Sequence, residues 1–472
     1  MMEAVVVLYF VATVILSAYL SKRVKKASDF LIAGRKLGLT LSTATLAAIQ
    51  LGAGVVLGGA ELGVEAGVWP GTWYGIGCGG GLILAGLLVA AKLRRHEGYV
   101  PLDFFGTRYG EKKWIRIWGW LSNIPSLLGI FVAQIMAAGA VLSVFGFDYT
   151  KGIVITAVVI MLYSLLGGMW GVAVTNFFQL GIIVLGIPLV AFVALSKLGS
   201  MSAVTVGDLL SAPFIPEGML TRAVFIIVPF FLAISVSYDA YMRYQSARSA
   251  QVAKWACILG GLIVIAISLC VGLIGAAGKI LFPGLPHTAV LPRVVETSLP
   301  PIAAGLVVSA LLAAAMSTGS CLLVSLAGCF SRDLYNKVLN PSVKLDDLPH
   351  AKIISRVVIV LALIAGVVIA FQAEGILYTI IIFNYPYMAS MLVPLLGGVL
   401  WEGATTKGAI AAILVGGSIG VVSFVAGVPS PIQGLFNIDL GLFVAYAVST
   451  IVFVMVSLLT SNTPISKVSQ NP

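Results

Sequence analysis

The sequence predicts an all-α integral membrane protein with about thirteen spanning helices, and three observations lead to it. The first is composition: of 472 residues, 60% are hydrophobic and only 10% are charged, and the mean hydropathy is +1.07. A water-soluble chain of this length cannot hide that much apolar surface, so lipid is the solvent. The second is that the apolar residues come in runs of about 20, the length that crosses about 30 Å of hydrocarbon. The third is the placing of charge. The 28 Lys and Arg against 18 Asp and Glu give a formal charge of +10, and the basic residues gather in short loops between the runs. That is the pattern of cytoplasmic loops, and it argues against a nucleic-acid partner.

The runs follow in order. The first, 4–21, is preceded by Glu3 and followed by Lys22 and Arg23. A secretory signal carries its positive charge in front, so this run reads as a retained span. The second, 39–62, contains "AAIQLGAGVVLGGAELG", in which Gly52, Gly54, Gly58, Gly59 and Gly63 weaken the helix and Gln50 and Glu61 add polar groups. Small residues here serve close helix contact, or else the helix is discontinuous and its freed carbonyls bind a cation or solute. The cluster Gly52-Ala53-Gly54, near the middle of the run, favours a break. The third run, 71–92, leads into a loop holding Lys92, Arg94, Arg95, Arg108, Lys112 and Lys113.

The fourth run is 117–145. The fifth and sixth, 152–170 and 174–196, are separated by Gly167-Gly168, which predicts a tight hairpin at the membrane surface. Asn176 and Gln179 then fall in the first turn of the sixth helix, as packing or capping amides or as coupling residues. The seventh run, 222–243, carries Asp239 and Arg243 four apart near its cytoplasmic end. Charges there are costly unless paired, so a structural ion pair is expected, with gating as the alternative. After the eighth run, 252–277, comes the ninth, 300–330, with "AAAMSTGSCLLVS" from Ala313 to Ser325. The loop after it holds Arg332, Lys337, Lys344 and Lys352. The last four runs are 352–372, 376–400, 407–427 and 438–460. Lys- and Arg-rich loops alternate with poor ones, which predicts an outside N-terminus and a cytoplasmic C-terminus in the cell membrane.

Hydroxyls in so apolar a ninth helix need a reason. Ser and Thr in membrane helices often bond back to a carbonyl one turn earlier. However, Ala314, Ser317 and Thr318 stand at i, i+3 and i+4 and share one face. One carbonyl and two hydroxyls form a neutral oxygen cluster, which carbonyls of a broken neighbour would complete. Lacking carboxylates, such a site suits a monovalent ion better than calcium or magnesium, and sodium is the expectation.

Five cysteines, Cys78, Cys257, Cys270, Cys321 and Cys329, lie inside apolar runs and read as small buried residues. His96, His287 and His350 fall in predicted loops, no nucleophile–base constellation is apparent, and the pieces between spans are too short for a catalytic domain. An enzyme is not expected. Residues 1–472 read as one transmembrane domain. The sequence is silent on oligomeric state, and a monomer is compatible with it.

Together "LAAIQLGAGVVLGGAE", "LLGGMWGVAVTNFFQL" and "AAAMSTGS" resemble the sodium:solute symporter family, over nearly the whole chain. The resemblance implies a LeuT-like fold: a 5+5 inverted repeat over 39–196 and 222–400, an extra N-terminal helix and loop over 1–38, and C-terminal helices over 401–472. The first helix of each repeat would be broken, at Gly52 to Gly54 and at Ser235 to Ser237. It implies sodium held by backbone oxygens of Ala48, Leu51 and Ala314 and by the side chains of Ser317 and Thr318. It also implies a central solute site lined by Gln50, Gly54, Val55, Gly58, Trp73, Gln134, Ser237, Tyr238 and Tyr385.

One departure stands out. The family's usual aspartate is Asn176 here, and an amide supplies no negative charge for a second cation beside Ser317, Thr318 and Ser320. One sodium per cycle is expected. The activity implied is sodium-coupled import of a small organic solute, an amino acid, organic acid or amine. The alternative is a sodium-independent or proton-coupled facilitator or solute sensor of the same fold, with Glu61 and Asp239 as the candidate proton carriers.

Overall fold

Every long apolar run of the sequence becomes a helix in the computed structural model, which describes residues 2–201, 204–373, 376–426 and 441–460. The last residue of the expected twelfth span and the first residues of the thirteenth lie outside the described part. In chain order the principal helices are α1 (Met2–Leu20), α2 (Leu39–Gln50), α3 (Gly54–Ala66), α4 (Val68–Leu88) and α5 (Pro101–Tyr109). Next come α6 (Lys113–Val144), α7 (Tyr149–Met201), α8 (Leu220–Val236), α9 (Tyr238–Ser246) and α10 (Ala250–Leu281). The series ends with α11 (Pro301–Gly328), α12 (Ala351–Ala370), α13 (Ile376–Leu400), α14 (Thr406–Ala426) and α15 (Gly441–Leu459).

Among the described residues, seven helices are long and apolar enough to cross a membrane, or nine when two bent pairs are each taken as one span. The bent pairs are α2 with α3, at 54°, and α8 with α9, at 41°. The first break falls at Leu51 to Ala53, inside the glycine cluster. The second falls at Ser237, whose hydroxyl caps the new helix by accepting from the Ala240 N–H.

Burial sorts the helices. The most apolar 18-residue window of α11 is buried throughout, whereas that of α12 is only 33% buried. Leu361 of α12 is 60% exposed, as is Leu8 of α1 at 67%. Such outward leucines suit contact with acyl chains. The hydroxyl-bearing α11 is therefore the axis of the bundle, packed by α1, α6 and α7. On the other flank α10 runs against α2, α3 and α4. The α4–α10 seam is lined by small residues that admit close backbone approach; a Cβ on Gly272 would stand 2.4 Å from the Val68 carbonyl oxygen.

The expected hairpin between fifth and sixth spans reduces to one residue. α7 runs as helix on both sides of Gly168, which alone breaks it with φ 49° and ψ −146°. That backbone region is open only to glycine. A Cβ there would also fall 2.7 Å from the Phe30 ring and 2.8 Å from its carbonyl oxygen. Gly168→Ala is expected to lower stability by about 1–3 kcal/mol from backbone strain alone, as thermal unfolding of the detergent-solubilised protein would measure. Because helix resumes at Met169, Asn176 lies about two turns in, not in the first turn. All five cysteines are free, and all but Cys270 are fully buried.

Candidate functional site

The broken end of α2 meets the hydroxyl face of α11. Helix α2 stops because glycine at 52 and 54 offers nothing to hold a helix together, which frees carbonyls in the bilayer interior. Ser317 Oγ lies 3.0 Å from the Ala48 carbonyl oxygen and 3.0 Å from that of Ala314. Thr318 Oγ1 lies 2.8 Å from the Ile49 oxygen, 3.4 Å from that of Ala48 and 3.3 Å from that of Ala314. Both side chains are buried. Thus Ala48, Ala314, Ser317 and Thr318 converge as five oxygens with the carbonyl of Ile49, a group that sequence reasoning did not single out. Leu51 sits at the end of α2, where its N–H donates to the Ala47 oxygen at 3.0 Å. Ser320 turns elsewhere and donates to the Ser317 oxygen.

The donor set is neutral, and it is shaped by one glycine. A Cβ on Gly52 would stand 2.6 Å from Thr318 Oγ1 and 2.7 Å from Gln134 Oε1. Gln134 reaches across from α6 to accept the Ala53 N–H at 2.7 Å, so a side-chain amide repairs one backbone group left by the break. Gly52→Ala is expected to cut sodium-stimulated uptake about tenfold or more, with a stability loss of about 1–3 kcal/mol from overpacking. Uptake into proteoliposomes and thermal unfolding would measure the two effects.

Beside this cluster lies a cavity with about 680 Å³ of space not filled by atoms, its opening included. Thr318 borders both. Of the residues expected to line a solute site, Gln50, Gly54, Gln134, Ser237 and Tyr238 line this cavity. Val55 and Gly58 do not; they are buried in the packing of α3 against its neighbours. Trp73 also faces away, into a cluster with Leu62, Ala223 and Ile226, where its Nε1 donates to the Phe214 carbonyl. The next residue, Tyr74, turns about 100° around α4 and reaches the cavity instead. The side chain of Tyr385 lies outside the described residues, whereas Tyr387 lines the cavity. Asn123, Ser126 and Asn384 add polar lining; Ser126 Oγ donates to Asn384 Oδ1 at 2.6 Å.

The structure corrects the expected Asp239–Arg243 ion pair. Asp239 sits in the first turn of α9, immediately after the break, and lines the cavity. Arg243 Nη1 donates to the backbone oxygen of Asp239 at 2.5 Å, and its Nε and Nη2 have no partner among the described residues. The short reach from one turn later brings the guanidinium to the carbonyl row, not to the carboxylate.

Asn176 and Gln179 stand together on the buried side of α7. Asn176 Nδ2 donates to Thr45 Oγ1 of α2 at 3.0 Å and to Cys321 Sγ of α11 at 3.2 Å. Gln179 Nε2 donates to Tyr9 Oη at 2.9 Å. Tyr163 Oη, from the first half of α7, donates to the Met316 oxygen at 2.6 Å, one residue before Ser317. Asn176 and Tyr163 fasten α7 to the helices that form the oxygen cluster, and Gln179 fastens it to α1.

A charged network that the sequence did not reveal closes the arginine-rich end of the bundle. Arg116 Nη1 pairs with Asp333 Oδ1 at 2.7 Å, Nη2 with Asp103 Oδ1 at 3.0 Å, and Nε with Glu111 Oε1 at 2.5 Å. Arg332 Nε reaches Asp103 Oδ2 at 3.0 Å, and its guanidinium lies 4.8 Å from the Tyr99 ring centroid. Burial alone would raise the Asp103 carboxyl, but Arg332 and Arg116 outweigh it and hold the group well below the usual carboxylate range. The stability this pairing gives is therefore complete above about pH 4 and lost only as pH falls below that. Tyr238 Oη donates to Asp333 Oδ2 at 2.8 Å, so the network touches a residue of the cavity wall.

Comparison with known proteins accords with this geometry. The model of the sodium:solute symporter family matches residues 30–416. The chain is 26% identical over 331 residues to a sodium/pantothenate symporter of Haemophilus influenzae, covering 66% of this chain and 66% of that protein. It is 23% identical over 476 residues to the osmoregulated proline transporter OpuE of Bacillus subtilis, covering 96% of this chain and 94% of that protein. Among solved structures, a Na+-coupled sialic acid symporter in a substrate-bound outward-open state superposes with a TM-score of 0.76 at 18% identity, over 97% of this chain and 98% of that one. That likeness shows a shared, LeuT-like fold. The matched span takes in the broken helix, the oxygen cluster and the cavity, and the chain belongs to the sodium:solute symporter family.

Proposed function

We propose that the protein is a sodium-coupled secondary active symporter that imports a small organic solute by alternating access, using one sodium ion per cycle. The observation that carries this reading is the sharing of Thr318: its hydroxyl belongs to the neutral oxygen cluster and also borders the cavity. A sodium ion takes the lone pairs of Ser317 and Thr318 and the carbonyl oxygens of Ala48, Ile49 and Ala314, while the hydroxyl protons rotate away. Leu51, at the end of α2 where the break begins, stays in the proposed set through its carbonyl oxygen. Held there, the ion fixes α11 against the end of α2 and so sets the cavity wall for solute. By linkage, solute must tighten sodium binding by the same factor.

We read the architecture as thirteen spans in one transporter domain, 1–472. The count follows when α7 is divided at Gly168 and α13, α14 and α15 are added to the nine apolar spans. Two five-helix repeats over 39–196 and 222–400 would each open with a broken helix, and residues at both breaks line the cavity. An outside N-terminus and a cytoplasmic arginine-rich end follow from the loop charges. Asn176 supports a single ion: its Nδ2 is turned to Thr45 and Cys321, and an amide brings no negative charge to balance a second cation.

The test is uptake of radiolabelled candidate solutes into proteoliposomes under an inward sodium gradient, against potassium on both sides. Sodium-stimulated accumulation supports symport. Equal uptake in the two salts assigns the protein to the facilitator class.

A further inference from the structure

We propose that the solute carries a cationic nitrogen, an amine or quaternary ammonium group, held in the cavity by Asp239 and a surround of aromatic rings. The inference rests on the cavity being the solute site and narrows that reading to one chemical class.

Among the described residues lining the cavity, Asp239 is the one charged side chain. No Lys, Arg or His nitrogen lies within ion-pair distance of its carboxylate among the described residues. Arg243, its natural partner by spacing, gives Nη1 to the backbone oxygen and stands off the carboxylate as a neighbouring positive charge without direct contact. Asp239 is 8% exposed, and its carboxyl borders a space whose lining residues among those described include no basic side chain. The start of α9 makes the charge tolerable, and a solute cation would add the direct ion pair that Arg243 does not make.

Four rings from four different helices stand in the same wall: Tyr74, Phe230, Tyr238 and Tyr387. Tyr74 meets Phe230 edge-on, with centroids 4.6 Å apart. The hydroxyls of Tyr238 and Tyr387 are committed elsewhere, to Asp333 at 2.8 Å and to the Val236 oxygen at 3.1 Å. What these two side chains offer the cavity is ring surface. Ring faces attract a desolvated cation, and a carboxylate beside them adds direct charge pairing. An anionic solute would face Asp239 with no basic side chain in the described lining to oppose it, and a neutral one would leave the carboxyl without a direct counter-charge. Gly54 belongs to the same arrangement, because a Cβ there would fall 2.7 Å from the Tyr74 ring.

The experiment uses the purified full-length protein in nanodiscs with sodium, and measures binding by calorimetry. The probes are tetramethylammonium, choline and ethanolamine, with 3,3-dimethylbutan-1-ol as the uncharged shape match for choline. At least one cation is expected to bind about tenfold or more tighter than the alcohol. Asp239→Asn is expected to remove that preference while sodium still raises the melting temperature, which shows the variant folded and its ion cluster intact. Phe230→Leu, which leaves the charge in place, is expected to weaken cation binding severalfold. Equal binding of choline and the alcohol, unchanged cation binding in Asp239→Asn, or binding of none of the three cations overturns the inference. Sodium stabilisation without cation binding leaves symport standing and removes only the amine; cation binding indifferent to sodium does the reverse.

Discussion

Thr318→Ala is expected to abolish sodium-stimulated uptake, with Thr318→Ser retaining most of it. Thr318 Oγ1 reaches three carbonyl oxygens across the contact of α2 and α11, and alanine removes a side-chain oxygen of the cluster from a residue that also lines the cavity. Serine keeps that oxygen and loses only a methyl group. The loss should be at least about a hundredfold in initial rate at a fixed gradient, because the ion loses one of five neutral ligands and the contact that ties its site to the cavity wall. Ser317→Ala is expected to act in the same direction. Uptake into proteoliposomes, read beside the melting temperature, separates this effect from misfolding. A Thr318→Ala protein that unfolds like the parent and still responds fully to sodium would dissociate this hydroxyl from coupling.

Arg116→Met is expected to cost about 3–5 kcal/mol of stability, the largest effect of any single substitution here. Its guanidinium serves Asp333, Asp103 and Glu111 at once, and Asp333 is fully buried. Removing the arginine strands a carboxylate that retains only the Tyr238 hydroxyl. The double variant Arg116→Met with Asp333→Asn should recover part of the loss, since the penalty comes from the uncompensated charge. Thermal unfolding of both variants in detergent measures this, and a single variant within about 0.5 kcal/mol of the parent would show the network to be dispensable. Because Tyr238 joins the network to the cavity wall, solute affinity should change along with stability.

Much of this molecule is legible in the sequence because membrane helices obey one strong rule, that backbone groups in hydrocarbon must be bonded within their own segment. Violations of that rule stand out. Gly52-Ala53-Gly54 marks the first break, and Ser317 with Thr318 at helical spacing marks the face that meets it. The structure puts those features together and adds Ile49, whose carbonyl no side-chain pattern could flag.

The cavity was harder to read. Trp73 and Tyr74 are adjacent aromatics, and the sequence gives no means of knowing which of two neighbouring helical directions points inward when both flanks are apolar. The charge network was hidden for another reason. Arg116, Asp103 and Asp333 are far apart in sequence, and each reads by itself as an ordinary loop or helix-end charge. Spacing of four suggested that Asp239 and Arg243 pair, but the helical break turns the carboxylate into the cavity, and local periodicity carries no information about that bend.

Equilibrium binding of radiolabelled sodium to the purified protein, with potassium as competitor, tests the central claim most directly. The account predicts one saturable site per chain, not displaced by potassium, and lost when Ser317 and Thr318 are both replaced by alanine. Absence of saturable binding in the parent, or unchanged binding in the double variant, would contradict it.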